Sequence, residues 1–209
     1  STEPTLDTAT IYLQRKRAKA FALTGIFLSM FVSMLAGTVV GTSMPVIMGE
    51  LGGSQTQLTW VVTSTMLASA VSAPIWGKLS DLLNKKILMQ LSLVIFTIGS
   101  SMSGFAGDPE WLIGWRVVQG LGGGGLMALG QIVMADIISP RERGKYMGIS
   151  SAVMAVATIG GPLLGGFLTD TVGWRWNFFV AVPIAIATIL IMHFTLDLPF
   201  IKRKAKIDY

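Results

Sequence analysis

The chain has 209 residues, 52% of them hydrophobic and 13% charged, with a mean hydropathy of +0.64 and a formal net charge of +5. Soluble globular domains carry about 25% charged residues, so this composition excludes an ordinary water-soluble domain and indicates a chain dissolved in a bilayer. With no cysteine and one histidine, His193, it also excludes a disulfide framework, a Cys/His zinc site and a thiol nucleophile.

A helix that crosses the hydrocarbon core needs roughly 20 mainly apolar residues. Six runs qualify, over residues 20–46, 58–76, 87–106, 111–138, 146–168 and 177–198. The expected fold is an all-α membrane protein, a six-transmembrane-helix bundle over residues 20–198 with no soluble domain between its spans. A polar and basic segment, residues 1–19, precedes it, and its first 14 residues read as disordered or interfacial. A basic linker, residues 199–209, follows. Arg15, Lys16, Arg17 and Lys19 resemble the charged start of a signal peptide. The apolar stretch after them is too long and lacks a small-residue cleavage site, so it reads as a retained first span.

Met30 and Met34 in span one and Met66 in span two are placed to line an adaptable apolar cavity. Fourteen of the sixteen Lys and Arg residues fall before span one, between spans two and three, between spans four and five, and after span six. All four places lie on one side of a six-span topology. By the positive-inside rule both termini are cytoplasmic, and the basic balance reports orientation rather than nucleic-acid binding. Trp60, Trp111, Trp115, Trp174 and Trp176 fall near the outer ends of spans and read as an interfacial aromatic belt. His193 has no partner set for metal or nucleophilic chemistry and reads as structural.

Span four contains RVVQGLGGGGLMALG, Arg116 to Gly130, with the spacing Gly120-x-Gly122-x-x-Gly125 of a dinucleotide loop. Such a loop follows a strand and opens a helix. This run lies in the middle of an apolar span, so no nucleotide is expected there, nor any other cofactor or metal in the chain. Small residues let helix backbones approach inside a bilayer, and Gly120, Gly124 and Ala128 recur every four residues as a packing face. Arg116 and Asp136 lie roughly 30 Å apart along such a helix, near opposite faces of the membrane. An ionisable group in a span faces a partner or a watery cavity, or snorkels to the headgroups; either arrangement suits Arg116.

Between spans two and three stands GKLSDLLNKK, residues 77–86. Gly77 permits close helix contact, Asp81 is placed to accept from a helix N-terminus, and Lys85 lies one turn beyond it for a pair. The segment resembles the signature loop of the major facilitator superfamily, Gly-x-Leu-x-Asp-x-x-Gly-basic-basic, matched by Gly77, Leu79, Asp81, Lys85 and Lys86. Asn84 replaces the second glycine, and asparagine tolerates the left-handed geometry of a turn. RVVQG in span four resembles the family's Arg-x-x-Gln-Gly motif, and GGPLLGG, residues 160–166, resembles the Gly-Pro-x-x-Gly-Gly motif of its antiporters. GWRWNFFVAVP and SPRERGK resemble its drug:proton antiporters, above all the fourteen-span type.

The resemblance implies one half of a facilitator fold, in which two six-span halves meet at the site. It implies a secondary active transporter of the cell membrane, bacterial inner or plasma, and not an enzyme: a proton-coupled multidrug efflux antiporter working by alternating access. It implies a latch of the outward-facing state at Gly77, Asp81, Lys85, Lys86, Asp136 and Arg143, and a proton-linked role for Arg116. It also implies an antiporter bend at Gly161, Pro162, Gly165 and Gly166, where Pro162 frees a carbonyl one turn back. The implied partners are the lipid bilayer, the C-terminal half of the same transporter or a second copy, protons, and lipophilic or cationic small molecules. The alternatives are a metabolite uptake permease of the same superfamily, or a six-span half that dimerises or serves as a non-transporting membrane assembly partner. One departure stands out. The fourteen-span type carries an aspartate and an asparagine in span one where this chain has Ala36 and Gly41. A membrane-embedded carboxylate is the natural proton carrier, so coupling falls to Asp136, to Glu50, to a residue elsewhere in a longer protein of which this chain reads as the N-terminal piece, or to a different mechanism.

Overall fold

The structure is a computed structural model that describes residues 8–195, the last by its backbone alone. Residues 1–7, the end of the expected sixth span and the expected linker 199–209 lie outside the described residues. In chain order the helices are α1 Thr8–Leu51, α2 Gln55–Leu82, α3 Lys85–Gly104, α4 Pro109–Ile137, α5 Arg143–Thr171, α6 Trp176–Phe179 and α7 Ala181–Thr195. The first five, and α6 and α7 taken together over Trp176–Phe194, are long and apolar enough to cross a membrane.

Side-chain caps set several helix starts. Ser54 and Gln57 close a reciprocal capping box at α2, Asn84 caps α3 through the Lys86 amide, and Asp108 caps α4 through the Trp111 amide with Pro109 in the first turn. Asn84 sits at φ −65°, so it holds the α2–α3 turn as a cap and not in the left-handed geometry expected of it. Asp81 stays in the last turn of α2 and caps no helix start among the described residues. At the far end of α1, Gly52 takes φ +70° and lets the Gly53 amide close on the Met48 carbonyl at 2.8 Å.

Two elements differ from the apolar pattern. Residues 8–14, expected to be disordered or interfacial, are helical and continue through the basic residues 15–19, where Arg, Lys and Ala are strong helix formers. They prolong α1 to 44 residues, about 66 Å and twice the thickness of the hydrocarbon core. The sixth span is interrupted at Val180. Pro183 has no N–H to offer the Phe179 carbonyl, and the Phe178 carbonyl accepts from Ser100 Oγ at 2.6 Å.

α2 and α3 pack on α4, α5 and α7 pack on α1, and contacts of α1 with α4 and of α3 with α7 join the two groups. Exchanging the first three spans for the last three maps this pattern onto itself, as an inverted repeat does. One apolar core at the basic end gathers Ile26, Met30, Leu93, Phe96, Leu126 and Met192; a second, at the opposite end, gathers Met44, Ile47, Leu112 and Phe178.

Candidate functional site

α4 is the axis on which the candidate residues are hung. A Cβ on Gly120 would stand 2.5 Å from the Thr65 carbonyl oxygen, and one on Gly124 would stand 2.6 Å from that of Ser69, so these two glycines meet the backbone of α2. Gly122 meets Ser92 and Phe96 of α3, while Gly123 and Gly130 meet Ser33 and Met30 of α1. The glycine run therefore serves three neighbours and not a single face. Polar groups reinforce the contact: Ser69 Oγ donates to the Gly120 carbonyl at 3.0 Å, Trp76 Nε1 to that of Leu121 at 2.9 Å, and Ser33 Oγ to that of Gly123 at 3.3 Å. Sequence reasoning missed these donors, since a serine in an apolar run gives no sign of which carbonyl it will reach.

Arg116 lies two turns inside α4 and is 5% exposed, so it is buried and does not snorkel. Its Nη1 donates to Gln119 Oε1 at 3.0 Å, one turn later on the same helix. Arg116 Nε and Gln119 Nε2 are both buried without a hydrogen-bond partner among the described residues. Arg116, Gly123 and Gly130 recur every seven residues, two turns, and so share the face of α4 turned to α1. Ala36 is buried in the core, whereas Gly41 is exposed with no atom within 4 Å of where a Cβ would stand.

At the basic end, Lys85 at the start of α3 forms an ion pair with Asp136 at the end of α4. Asp81 is exposed and makes no ion pair with the described residues, so the structure brings together two of the three expected latch charges. Gly77 lies 4.0 Å from Ile132 of α4 by its missing Cβ, Lys86 Nζ donates to the His193 carbonyl at 3.1 Å, and Arg143 is exposed. The His193 ring packs against Phe194. A pair absent from the sequence reading ties α1 to the α4–α5 loop: Lys19 Nζ meets Glu142 at 2.5 Å. The hydrogen bond and charge of Lys19 hold the Glu142 carboxyl below its ordinary value.

α5 crosses α1 through the glycine–proline segment. Gly161 lies against Thr38 and Gly165 against Val39, Thr38 Oγ1 donates to the Ala157 carbonyl at 2.9 Å, and Gly166 faces open space beside the partly exposed Pro162. The three methionines occupy different settings. Met30 is buried against Gly130, Met34 is half-buried toward α5, and Met66 is 67% exposed on α2.

The opposite end is clamped by the turn between α5 and α6. Trp174 is 3% exposed and its indole donates to Glu50, which removes it from the expected aromatic belt. Arg175 stacks 4.5 Å from the Trp174 ring and donates to the Gly104 and Ala106 carbonyls at 3.0 and 2.8 Å. Asn177, wholly buried, donates to Ser43 Oγ at 2.6 Å and Thr169 Oγ1 at 3.1 Å. Trp60, Trp111 and Trp176 remain exposed.

Residues 26–208 match the family model described as Major Facilitator Superfamily. The chain belongs to that superfamily. Among curated facilitator relatives, the multidrug transporter protein MdtP of Bacillus subtilis is 37% identical over 176 residues, 84% of this chain and 32% of its own length. Multidrug resistance protein 3 of the same bacterium is 35% identical over 206 residues, 98% of this chain and 39% of its own length. Efflux pump FUS6 of Gibberella fujikuroi is 34% identical over 173 residues, 83% of this chain and 31% of its own length. The chain thus spans about a third of the length of these relatives. A bacterial homolog of the human lysosomal transporter Spinster, solved inward-facing and unoccupied, shares the fold at a TM-score of 0.70 and 18% identity, over 90% of this chain and 43% of that one. Membership makes this facilitator chain a multi-pass membrane protein of a transporter family and not an enzyme. Among its described residues no three His, Cys, Asp or Glu gather to hold a metal ion.

Proposed function

We propose that the chain is the N-terminal half of a proton-coupled multidrug efflux antiporter working by alternating access. The observation that carries this reading is a stiff six-span body with two uncovered helices. α4 meets its neighbours backbone to backbone, while α2 exposes Met66, Val71 and Ile75 and α5 exposes Ile159, Leu163 and Phe167. Alternating access is largely rigid-body rocking of one bundle against another, and such a body rocks without deforming. The second bundle is the remainder of a longer chain or a second copy. Efflux of drugs is the reading supported by the names of the multidrug and efflux relatives.

In this reading the basic end is cytoplasmic, the membrane is a bacterial plasma membrane, residues 20–198 are the membrane unit and residues 199–209 lead to the second half. Lys85 and Asp136 form the standing part of the latch, which Asp81, Lys86 and Arg143 complete as the bundles rock. Gly161, Pro162, Gly165 and Gly166 keep α5 close to α1 through that motion. A guanidinium keeps its proton at physiological pH, so Arg116 acts on proton traffic as a fixed positive charge and not as a proton carrier. Cells expressing the full-length protein should accumulate less of a lipophilic dye, and a protonophore should erase the difference. Accumulation indifferent to expression would overturn the reading.

A further inference from the structure

We infer that the anionic group facing Arg116 is carried in by the transported compound, so that this half selects lipophilic carboxylates over lipophilic cations. The inference rests on the transport reading above and narrows its substrate class.

Every aspartate and glutamate among the described residues lies within one turn of a helix end or in a loop. The acids of Arg116's own helix, Asp108 and Glu110, stand about two turns nearer the headgroups. On α1, Glu50 is engaged by the Trp174 indole. Neither α2 nor α3 places an acid at the level of Arg116, and α5 holds only Asp170, exposed in its last turn. A guanidinium 5% exposed thus stands with a neutral glutamine as its hydrogen-bond partner. Such a group in a membrane interior calls for an anion.

The unused donors fit one. Arg116 Nε and Gln119 Nε2 are buried and without a hydrogen-bond partner among the described residues, on two side chains joined to each other, and a guanidinium edge together with an amide matches the two oxygens of a carboxylate. The neighbouring stretch of α1 is uncovered. Ser33 against Gly123 and Met30 against Gly130 fix the antiparallel register of α1 on α4, and two turns further on this register sets Arg116 level with Val40 and Gly41. Gly37 and Gly41 are exposed and have no atom within 4 Å of a Cβ position, so α1 offers bare backbone to a ligand beside the charge. A lipophilic cation at the same place would meet a like charge in a medium that screens poorly.

The test uses the full-length protein in detergent and three probes with one apolar body: 2-naphthoate, 2-naphthylmethylammonium and 2-naphthylmethanol. Equilibrium dialysis should find 2-naphthoate the tightest. Arg116→Gln should lower the ratio of naphthoate to naphthylmethanol affinity by at least about tenfold, the loss of one charge-assisted hydrogen bond. Gln119→Glu sets an internal carboxylate beside the guanidinium, keeps the buried charge paired if Arg116→Gln does not fold, and should lower the same ratio while favouring the ammonium. Tighter binding of the ammonium by the unmodified protein, or a ratio that neither variant moves, overturns the inference and assigns the anion to a carboxylate elsewhere in the longer protein. Export from proteoliposomes separates the two readings. Export of the ammonium alone sinks the charge preference and keeps transport, whereas export of no probe sinks transport and leaves the dialysis ratios to decide the charge preference.

Discussion

Asp81 ends α2 with its carboxylate beside the negative pole of the helix, where an acid costs about 0.3–1 kcal/mol. Asp81→Asn should therefore leave the thermal midpoint of the full-length protein unchanged or slightly raised. Transport lost from a well-folded Asp81→Asn protein would tie the charge to the conformational cycle, and transport retained would remove it from the latch. Glu142 makes a different case. Its carboxyl is held below the ordinary 4.5 by Lys19, so the pairing stabilises the fold above that ordinary value and is lost as pH falls through the lowered one. Lys19→Met should lower the thermal midpoint at neutral pH, and the gap from the unmodified protein should close on acidification. A gap independent of pH would exclude the ion pair as its source. At this scale the sequence was legible for residue type and mute on partners. Trp174 and Trp176 occupy equivalent places in the chain, yet only the first finds Glu50, 124 residues away. Asn84 was recognised as a turn residue, but whether it turns the chain in left-handed geometry or caps a helix depends on the sign of its φ angle.

The helices themselves were largely readable, because a span must satisfy its backbone internally and must be about 20 apolar residues long. Their ends were less so, since hydropathy marks where the lipid stops and not where the helix stops; residues 8–19 are polar and helical at once. The break at Val180 needed both Pro183, visible in the sequence, and Ser100, 78 residues away. The glycine run was read as a packing surface, but one helix face was expected where three neighbours are served. That difference predicts a contrast. Gly120→Ala drives a methyl group against the Thr65 carbonyl, 2.5 Å away, and should destabilise by about 1–3 kcal/mol. Gly37→Ala meets nothing within 4 Å and should be neutral or better for α1. Equal melting behaviour of the two variants would show that the α2–α4 contact yields.

For the whole molecule, the count of spans was legible in the sequence, while the pairing of spans was beyond any reading of one sequence. The exchange pattern of α1 with α4, α2 with α5 and α3 with the sixth span emerges only in three dimensions. Orientation is open to measurement. A cysteine placed at Ser139 should react with an impermeant reagent only from the cytoplasm, and one placed at Gly107 only from outside; the reverse outcome would invert the bundle. One feature bears on how such a bundle moves. α1 is a continuous rod of 44 residues gripped near one end by the Lys19–Glu142 pair and along its length by α4, α5 and α7. A tilt of about 5° about one end of a rod about 66 Å long carries the other by about 6 Å, close to one helical pitch. When the bundle tilts as one body, leverage of that size turns a small rotation at the Lys19–Glu142 end into a sideways displacement of about 6 Å at the Glu50 end, with no side chain along the rod changing its neighbours.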